Sequence, residues 1–383
     1  MAEHPLRSLR VDHVGSLLRP KALIDAFLAR GRDAIGQDAL DEAADAAIRQ
    51  VVAKQEAIGL PIVSDGEFRR LNWQVSFSVV DGWDQWEGSW KGFLANPTNM
   101  YAGEKPLTRG QDAVETFKAP ATARLSLREN FPLREFRFLK SVAKAPAKAM
   151  LMGPDRVAQM CDIARSAPYY TSADAFLADV VAIQHRMVEE LIAAGCGYIQ
   201  LDEPSYTGYV DRITLERIRQ RGEDPMANLA RAIRASNTVI AGHKGEAVFG
   251  IHICRGNRAS MWHREGTYDG IAEELFATLQ FDRLLLEYDT ERAGGFEPLR
   301  FVPRGRIVVL GLITTKSGTV ETVDQLRRRI DEAARFIDIE QLAISPQCGF
   351  ASGIAGNVLT EDEQWRKLDV MLETAHRVWG STA

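Results

Sequence analysis

The chain has 383 residues, of which 45% are hydrophobic and 26% charged, with a formal net charge of −5. These proportions fit an ordinary globular protein and give no electrostatic footprint for nucleic acid. No apolar run approaches the ~20 residues of a membrane span, and the first residues hold no long apolar stretch of the signal-peptide kind, which points to the cytoplasm. The four cysteines, Cys161, Cys196, Cys254 and Cys348, are too few and too scattered for a disulfide frame. In a reducing compartment they suggest metal-binding or reactive thiols instead.

Short apolar runs recur along the chain, and polar or small residues gather at the C-terminal end of each. The first covers residues 11–16 and is followed by a helix start after Pro20. A helix over about 38–58 precedes the second run, 61–67. The third is 149–154, and a helix over about 172–194 leads into the fourth, 197–204. The fifth is 248–253, the sixth 284–289, the seventh 306–313 and the eighth 342–349. Helical periodicity fills the intervals, as over 323–336, and a last helix spans about 361–379.

Strands alternating with helices imply parallel βαβ units, and eight of them imply an α/β fold closed into a (β/α)8 TIM barrel. A doubly wound open sheet is the alternative. We expect a single domain over residues 1–383 with an insertion between strands 2 and 3, at about 80–147. That interval holds Trp83, Trp86 and Trp90 (Trp73 lies just before it), the turn-rich run 94–111, and a hairpin candidate at 113–127. The tryptophans would either wall a pocket or form a small core of the insertion.

In a barrel of this type the active site lies at the C-terminal strand ends. Ser16, Glu67, Asp202, His252, Cys254, Glu287 and Cys348 all fall there. His252 and Cys254 are two residues apart on a strand end and share a face. Together with Glu287 and Cys348 they make a donor set suited to Zn²⁺, and the two thiols argue against magnesium or calcium. The alternative reading makes the cysteines small buried hydrophobes. That reading is preferred for Cys161 and Cys196, which lie away from strand C-termini.

The motifs HVGS (13–16), DGE (65–67), QLDEP (200–204), HIC (252–254), LLLEYD (284–289) and SPQCG (345–349) resemble those of the cobalamin-independent methionine synthase family. The likeness is to its C-terminal catalytic barrel, in the short stand-alone form, and runs over residues 11–379. It implies a zinc ion held by His252, Cys254, Glu287 and Cys348, and methyl transfer to homocysteine to give methionine. The acceptor would meet the turn Val14, Gly15 and Ser16, and its ammonium would meet Glu67 and Asp202. Read without the resemblance, Asp202 and Glu203 serve equally as helix caps, and Glu67 as a loop carboxylate.

Two features depart from the family pattern. Longer members carry a second, N-terminal barrel that supplies much of a folate site. After the seventh strand the family has a histidine taken to protonate the departing donor, where this chain has Lys316. An ammonium can give up a proton near neutrality once its pKa is lowered. The stretch 255–264 adds three arginines, which would suit an anionic group or pair with neighbours such as Glu265, and His263, a candidate proton shuttle. The donor could thus be a folate, a corrinoid or another methyl or alkyl compound.

The short form also resembles the epoxyalkane:coenzyme M transferases, in which a zinc-bound thiolate opens an epoxide. A non-catalytic zinc or amino-acid sensor barrel is a reading from another class, and a metal-free decarboxylase barrel of the uroporphyrinogen decarboxylase kind is a third.

Overall fold

The computed structural model describes residues 4–89, 105–110 and 118–383. The first two apolar runs take their barrel positions through isolated parallel bridges, Val11 with Ile344, Ser16 with Gly66, and Val63 with Ala147. The sequence predicts full strands here. Gly15, Gly66 and Glu67 adopt φ values of +131°, +70° and +59°, outside the extended region, so no continuous ladder can form. Helices α1 (Lys21–Gly31) and α2 (Gln37–Ala57) lie between the first and second of these runs. Ala44, Ile48, Val51 and Val52 of α2 recur at helical spacing and are buried as one stripe.

An antiparallel hairpin of β1 (Val80–Trp83) and β2 (Ala121–Leu127) occupies the interval before the third barrel strand. It is irregular at Gly82, whose φ is +86° and where a Cβ would meet the carbonyl oxygens of Arg124 and Ala123 at 2.6 and 2.8 Å. Trp83 packs edge-on to Phe176, 5.5 Å between ring centres, and its indole N–H donates to the Ala119 carbonyl. Trp90, the run 94–111 apart from 105–110, and residues 113–117 of the hairpin candidate lie outside the described residues. Helix α3 (Phe131–Val142), capped by the Asn130 side chain, packs on the third barrel strand. The interval therefore carries a barrel helix as well as the extra hairpin.

The remaining barrel strands run parallel in chain order: β3 (Ala149–Met152), β4 (Tyr198–Asp202), β5 (Val248–Ile253), β6 (Arg283–Glu287), β7 (Ile307–Ile313) and β8 (Leu342–Pro346). Between and after them stand α4 (Pro154–Gln159), α5 (Ala173–Ala193), α6 (Arg212–Gln220), α7 (Pro225–Val239), α8 (Ala272–Thr278), α9 (Val323–Ala333) and α10 (Glu361–Trp379). The ring closes where the Ile344 N–H donates to the Arg10 carbonyl and the Asp12 N–H donates to the Ile344 carbonyl, at 2.8 and 3.0 Å. Val63 and Lys148 complete the other seam, with N–H groups donating to Pro146 and Val63. The fold is a (β/α)8 barrel with extra chain between its second and third strands. Among the described residues no helix is long and apolar enough to cross a membrane.

The barrel strands are buried almost throughout, as parallel strands sheathed by helices must be. Their interior is not wholly apolar. Asp12 accepts from Lys148 Nζ at 2.9 Å, from Arg283 Nε at 3.1 Å and from the Tyr198 hydroxyl at 2.6 Å, all deep in the barrel. Burial pushes the Asp12 carboxyl up, but Lys148 and Arg283 outweigh it and hold it well below the usual carboxylate range. Asp12→Ala leaves two buried cations without a counter-charge, and we expect it to lower stability by about 3–5 kcal/mol. Denaturant unfolding measures this, and a loss below ~1 kcal/mol would show that the ion cluster contributes little.

Candidate metal centre

β5 delivers His252 at its penultimate position, and Cys254 follows the strand end on the same side. The segment after β8 brings Cys348 to meet them. One donor atom from each of His252, Cys254 and Cys348 lies within 4.8 Å of the others, and all three side chains are buried. The His252 Nε2 to Cys348 Sγ separation is 3.5 Å. A tetrahedral ion with bonds of ~2.0–2.3 Å would set its ligand atoms roughly 3.3–3.8 Å apart. The His252 imidazole and the Cys348 sulfur thus already stand at the spacing a zinc ion would impose, with the Cys254 sulfur within 4.8 Å of both.

The electrostatics follow from this crowding. Cys254 is held well below the ordinary thiol range, first by its hydrogen bond with Cys348 and then, against burial, by the His252 imidazole. Burial and the negative charge of Cys254 push Cys348 well up. Burial alone would lower His252, but Cys254, Asp202 and Glu287 raise it. A cluster of this kind is rich in lone pairs and negative charge.

Glu287 ends β6 with its carboxylate fully buried. Its Oε2 accepts from the Arg255 backbone N–H at 2.6 Å and from Gln347 Nε2 at 2.8 Å. Its Oε1 has no hydrogen-bond partner, although Arg292 Nη2 lies 3.7 Å away. A buried carboxylate oxygen left this way is costly and is available to a cation. Glu287 stands outside the tight three-residue group, but its negative charge acts to raise the pKa of each of its members. The residues present therefore fit a zinc ion in donor chemistry, and His252 and Cys348 fit it in spacing as well.

Gln347, not among the site residues expected from the sequence, ties the centre together. Its amide N–H groups donate to Glu287 and, at 3.0 Å, to Cys348 Sγ, while its oxygen accepts from Lys316 Nζ at 2.9 Å. Its position inside SPQCG was the only sequence signal. Lys316 is itself buried behind the centre and is absent from the cleft wall. Burial pushes its ammonium down, but Glu287, Cys348 and Asp289 outweigh this and raise it above the ordinary lysine value. That is opposite to the lowering a proton donor at Lys316 would need.

Above the cluster opens a cleft of about 1040 Å³. Val14, Ser16, Glu67, Asp202 and His263 line it beside His252, Cys254 and Cys348. Gly15 is not on its wall, but fixes the turn that presents Val14 and Ser16, its carbonyl accepting from the Ser64 hydroxyl at 2.6 Å. Ser16 is pressed close to the Cys348 turn, since a Cβ at Gly349 would fall 1.8 Å from Ser16 Oγ.

Glu67 Oε1 accepts from Arg70 Nη1 at 3.0 Å, and its Oε2 has no hydrogen-bond partner. Burial pushes its carboxyl up to about 8, with Arg70 opposing and Asp202 and Glu135 adding. Its left-handed backbone is held by Arg19, whose Nη2 donates to the carbonyls of Glu67 and Arg70 at 2.8 Å each. Asp202 accepts from Gln200 Nε2 at 2.7 Å and is raised by burial. The helix-capping role falls to Glu203, which accepts from the N–H groups of Ser205 and Asp155.

Trp73 and Trp86 wall the cleft, whereas Trp83 belongs to the core. The three arginines of 255–264 divide in role. Arg255 turns its guanidinium inward onto the Gly266 and Glu287 carbonyls and over the Tyr268 ring. Arg255 still borders the cleft, as do Arg258 and Arg264 and also Arg156, which the sequence did not single out. The Nδ1 of His263 stands 3.4 Å from the Gly110 carbonyl oxygen. Cys161 and Cys196 sit in the main hydrophobic cluster, which contains neither Cys254 nor Cys348.

Fold and site together define a (β/α)8 barrel with a sulfur-rich, anionic centre at its C-terminal mouth. Residues 114–376 match the family described as the catalytic domain of cobalamin-independent synthases. The Bacillus subtilis (strain 168) protein YxjH is 34% identical over 97% of this chain and 94% of its own length. The methionine synthase of Pyrococcus abyssi is 23% identical over 88% of this chain and 84% of its own. The crystal structure of a putative vitamin-B12 independent methionine synthase from Listeria monocytogenes superposes over 100% of both chains with a TM-score of 0.74 and 27% identity. The chain belongs to the cobalamin-independent methionine synthase family, a family of methionine synthase-type methyltransferases.

Proposed function

We propose that the chain transfers a methyl group to homocysteine, giving methionine, with a zinc ion held by His252, Cys254, Cys348 and Glu287. The observation that carries this reading is the convergence of three soft or borderline donors within 4.8 Å beside a buried carboxylate oxygen that has no partner. Bound there, zinc would favour the thiolate form of the acceptor sulfur, the nucleophilic form.

The chain's own residues then do the positioning. Glu67 and Asp202 face the same cleft and offer two carboxyls to an ammonium, which forms charge-assisted hydrogen bonds with them. Val14 and Ser16 bound the acceptor on the Cys348 side. Lys316, acting through Gln347, holds Glu287 and Cys348 in place and offsets their charge, which makes it a positioning residue. His263, also on the wall, is the imidazole assigned to exchange a proton with the leaving donor. Trp73 and Trp86 supply flat faces, and Arg156, Arg258 and Arg264 supply positive charge, for the donor.

The arginines also favour a second reading, addition of an anionic thiol such as coenzyme M to an electrophile. Against it, the carboxyls of Glu67 and Asp202 match an ammonium that coenzyme M lacks. Calorimetric titration of the zinc-loaded protein with homocysteine, coenzyme M and glutathione decides. We expect homocysteine alone to bind tightly. If another thiol binds and homocysteine does not, the methionine synthase reading is wrong.

A further inference from the structure

On the outer wall of the barrel, away from the mouth, His185, Glu189 and His243 each place a donor atom within 4.8 Å of the others. His185 and Glu189 are one turn apart on α5 and share a face. Nε2 of His185 lies 3.8 Å from a Glu189 oxygen. His243 comes from the turn between α7 and β5, with its ring centre 5.4 Å from that of His185.

Both imidazoles are already oriented through Nδ1. That of His185 is 3.1 Å from the Val239 carbonyl oxygen, and that of His243 is 3.2 Å from Glu246 Oε2. A ring nitrogen facing such an oxygen carries the proton, which leaves Nε2 as a lone pair. Metal-ligating histidines are oriented in this way, with one nitrogen donating to a carbonyl or carboxylate and the other free for the ion. A helical ion pair accounts for Glu189 beside His185 but does not account for a second oriented imidazole arriving from another element.

We propose that His185, Glu189 and His243 bind a borderline divalent cation, zinc above all, with water completing the shell and Glu246 orienting His243. The side chains are 33%, 52% and 16% exposed, so an ion can enter from solvent. The turn before β5 lies on the face opposite the catalytic mouth, where barrel residues serve stability. The ion would tie α5 to that turn, independently of the centre at the mouth.

Titration of the metal-stripped full chain with Co²⁺ alone tests this. We expect two equivalents, one with strong thiolate charge-transfer absorption and one with only weak visible bands. The double variant His185→Ala, His243→Ala should lose the second equivalent and keep the first, while Cys348→Ala should do the reverse, so failure at either site is read separately. Glu246→Gln should weaken the second site roughly tenfold or more without changing stoichiometry. Uptake of the thiolate-bound equivalent alone, or a second equivalent that survives the double variant, overturns the proposal. Unchanged affinity in Glu246→Gln overturns the role given to Glu246.

Discussion

Cys348→Ala is expected to abolish both metal retention and methyl transfer while the chain stays folded. The side chain is small, it lies outside the main hydrophobic cluster, and its sulfur is used by His252 and Gln347 rather than by apolar neighbours. Its loss therefore removes a donor and little packing. Changes to the groups that only orient ligands weaken metal binding by roughly 10–100-fold, and loss of a ligand should exceed this. Turnover should fall to background. Metal content after dialysis, thermal unfolding and turnover of the variant check the three parts together. Cys196→Ala is the natural control: its thiol lies in the hydrophobic cluster and is pushed up to about 12 by burial, so metal and activity should survive. One equivalent of metal held by Cys348→Ala at native affinity would sink the assignment.

Glu67→Gln should raise KM for homocysteine by roughly 10–100-fold, because a hydrogen bond to a charged group contributes about 1.5–3 kcal/mol. The chain should remain folded, and kcat should change less. Burial raises the Glu67 carboxyl from an ordinary 4.5 to about 8. A raised acid contributes stability that is fully present below the unfolded value and is lost as pH climbs through the folded one. The native chain should therefore lose stability between pH 4.5 and about 8 in a way that Glu67→Gln does not. The acceptor's ammonium reverses the bias by favouring the carboxylate, so binding near neutral pH should release a proton. Calorimetry in buffers of different ionisation enthalpy reads that proton directly. If native and variant release the same number, Glu67 does not meet the ammonium.

Much of this architecture was legible because buried parallel strands write themselves as continuous apolar runs, as residues 248–253 and 307–313 do. Helices α2, α5 and α10 fall within a residue or so of their expected ends, since their stripes and caps are local features. The first two runs form isolated bridges in place of the full strands their pattern predicts. Whether 11–16 and 61–67 pair along their length depends on backbone angles at Gly15, Gly66 and Glu67 that side-chain pattern does not encode. The meeting of His252, Cys254 and Cys348 could be anticipated because barrel geometry brings strand ends to one mouth. Gln347 could not, because an amide beside a ligand has the same letter whether it faces the ion, the solvent or the core. The division of Arg255 from Arg258 and Arg264 was hidden for a similar reason: all three lie in one loop, and only the fold sets which turns inward.

The uneven hydrogen bonding around the barrel has a mechanical consequence. His252 and Glu287 sit in a six-strand hydrogen-bonded sheet and Cys348 follows its last strand; the sheet's pairing is irregular between Gly311 and Ile313 of β7 but otherwise braces these residues as one plate. Val14, Ser16 and Glu67 hang from segments pinned by single bridges, so that arc of the ring can yield by small backbone rotations without tearing a sheet. On the proposed function, the rim would thus be stiff where a metal's bond lengths must hold to tenths of an ångström and yielding where the amino-acid end of the acceptor would be admitted and let go.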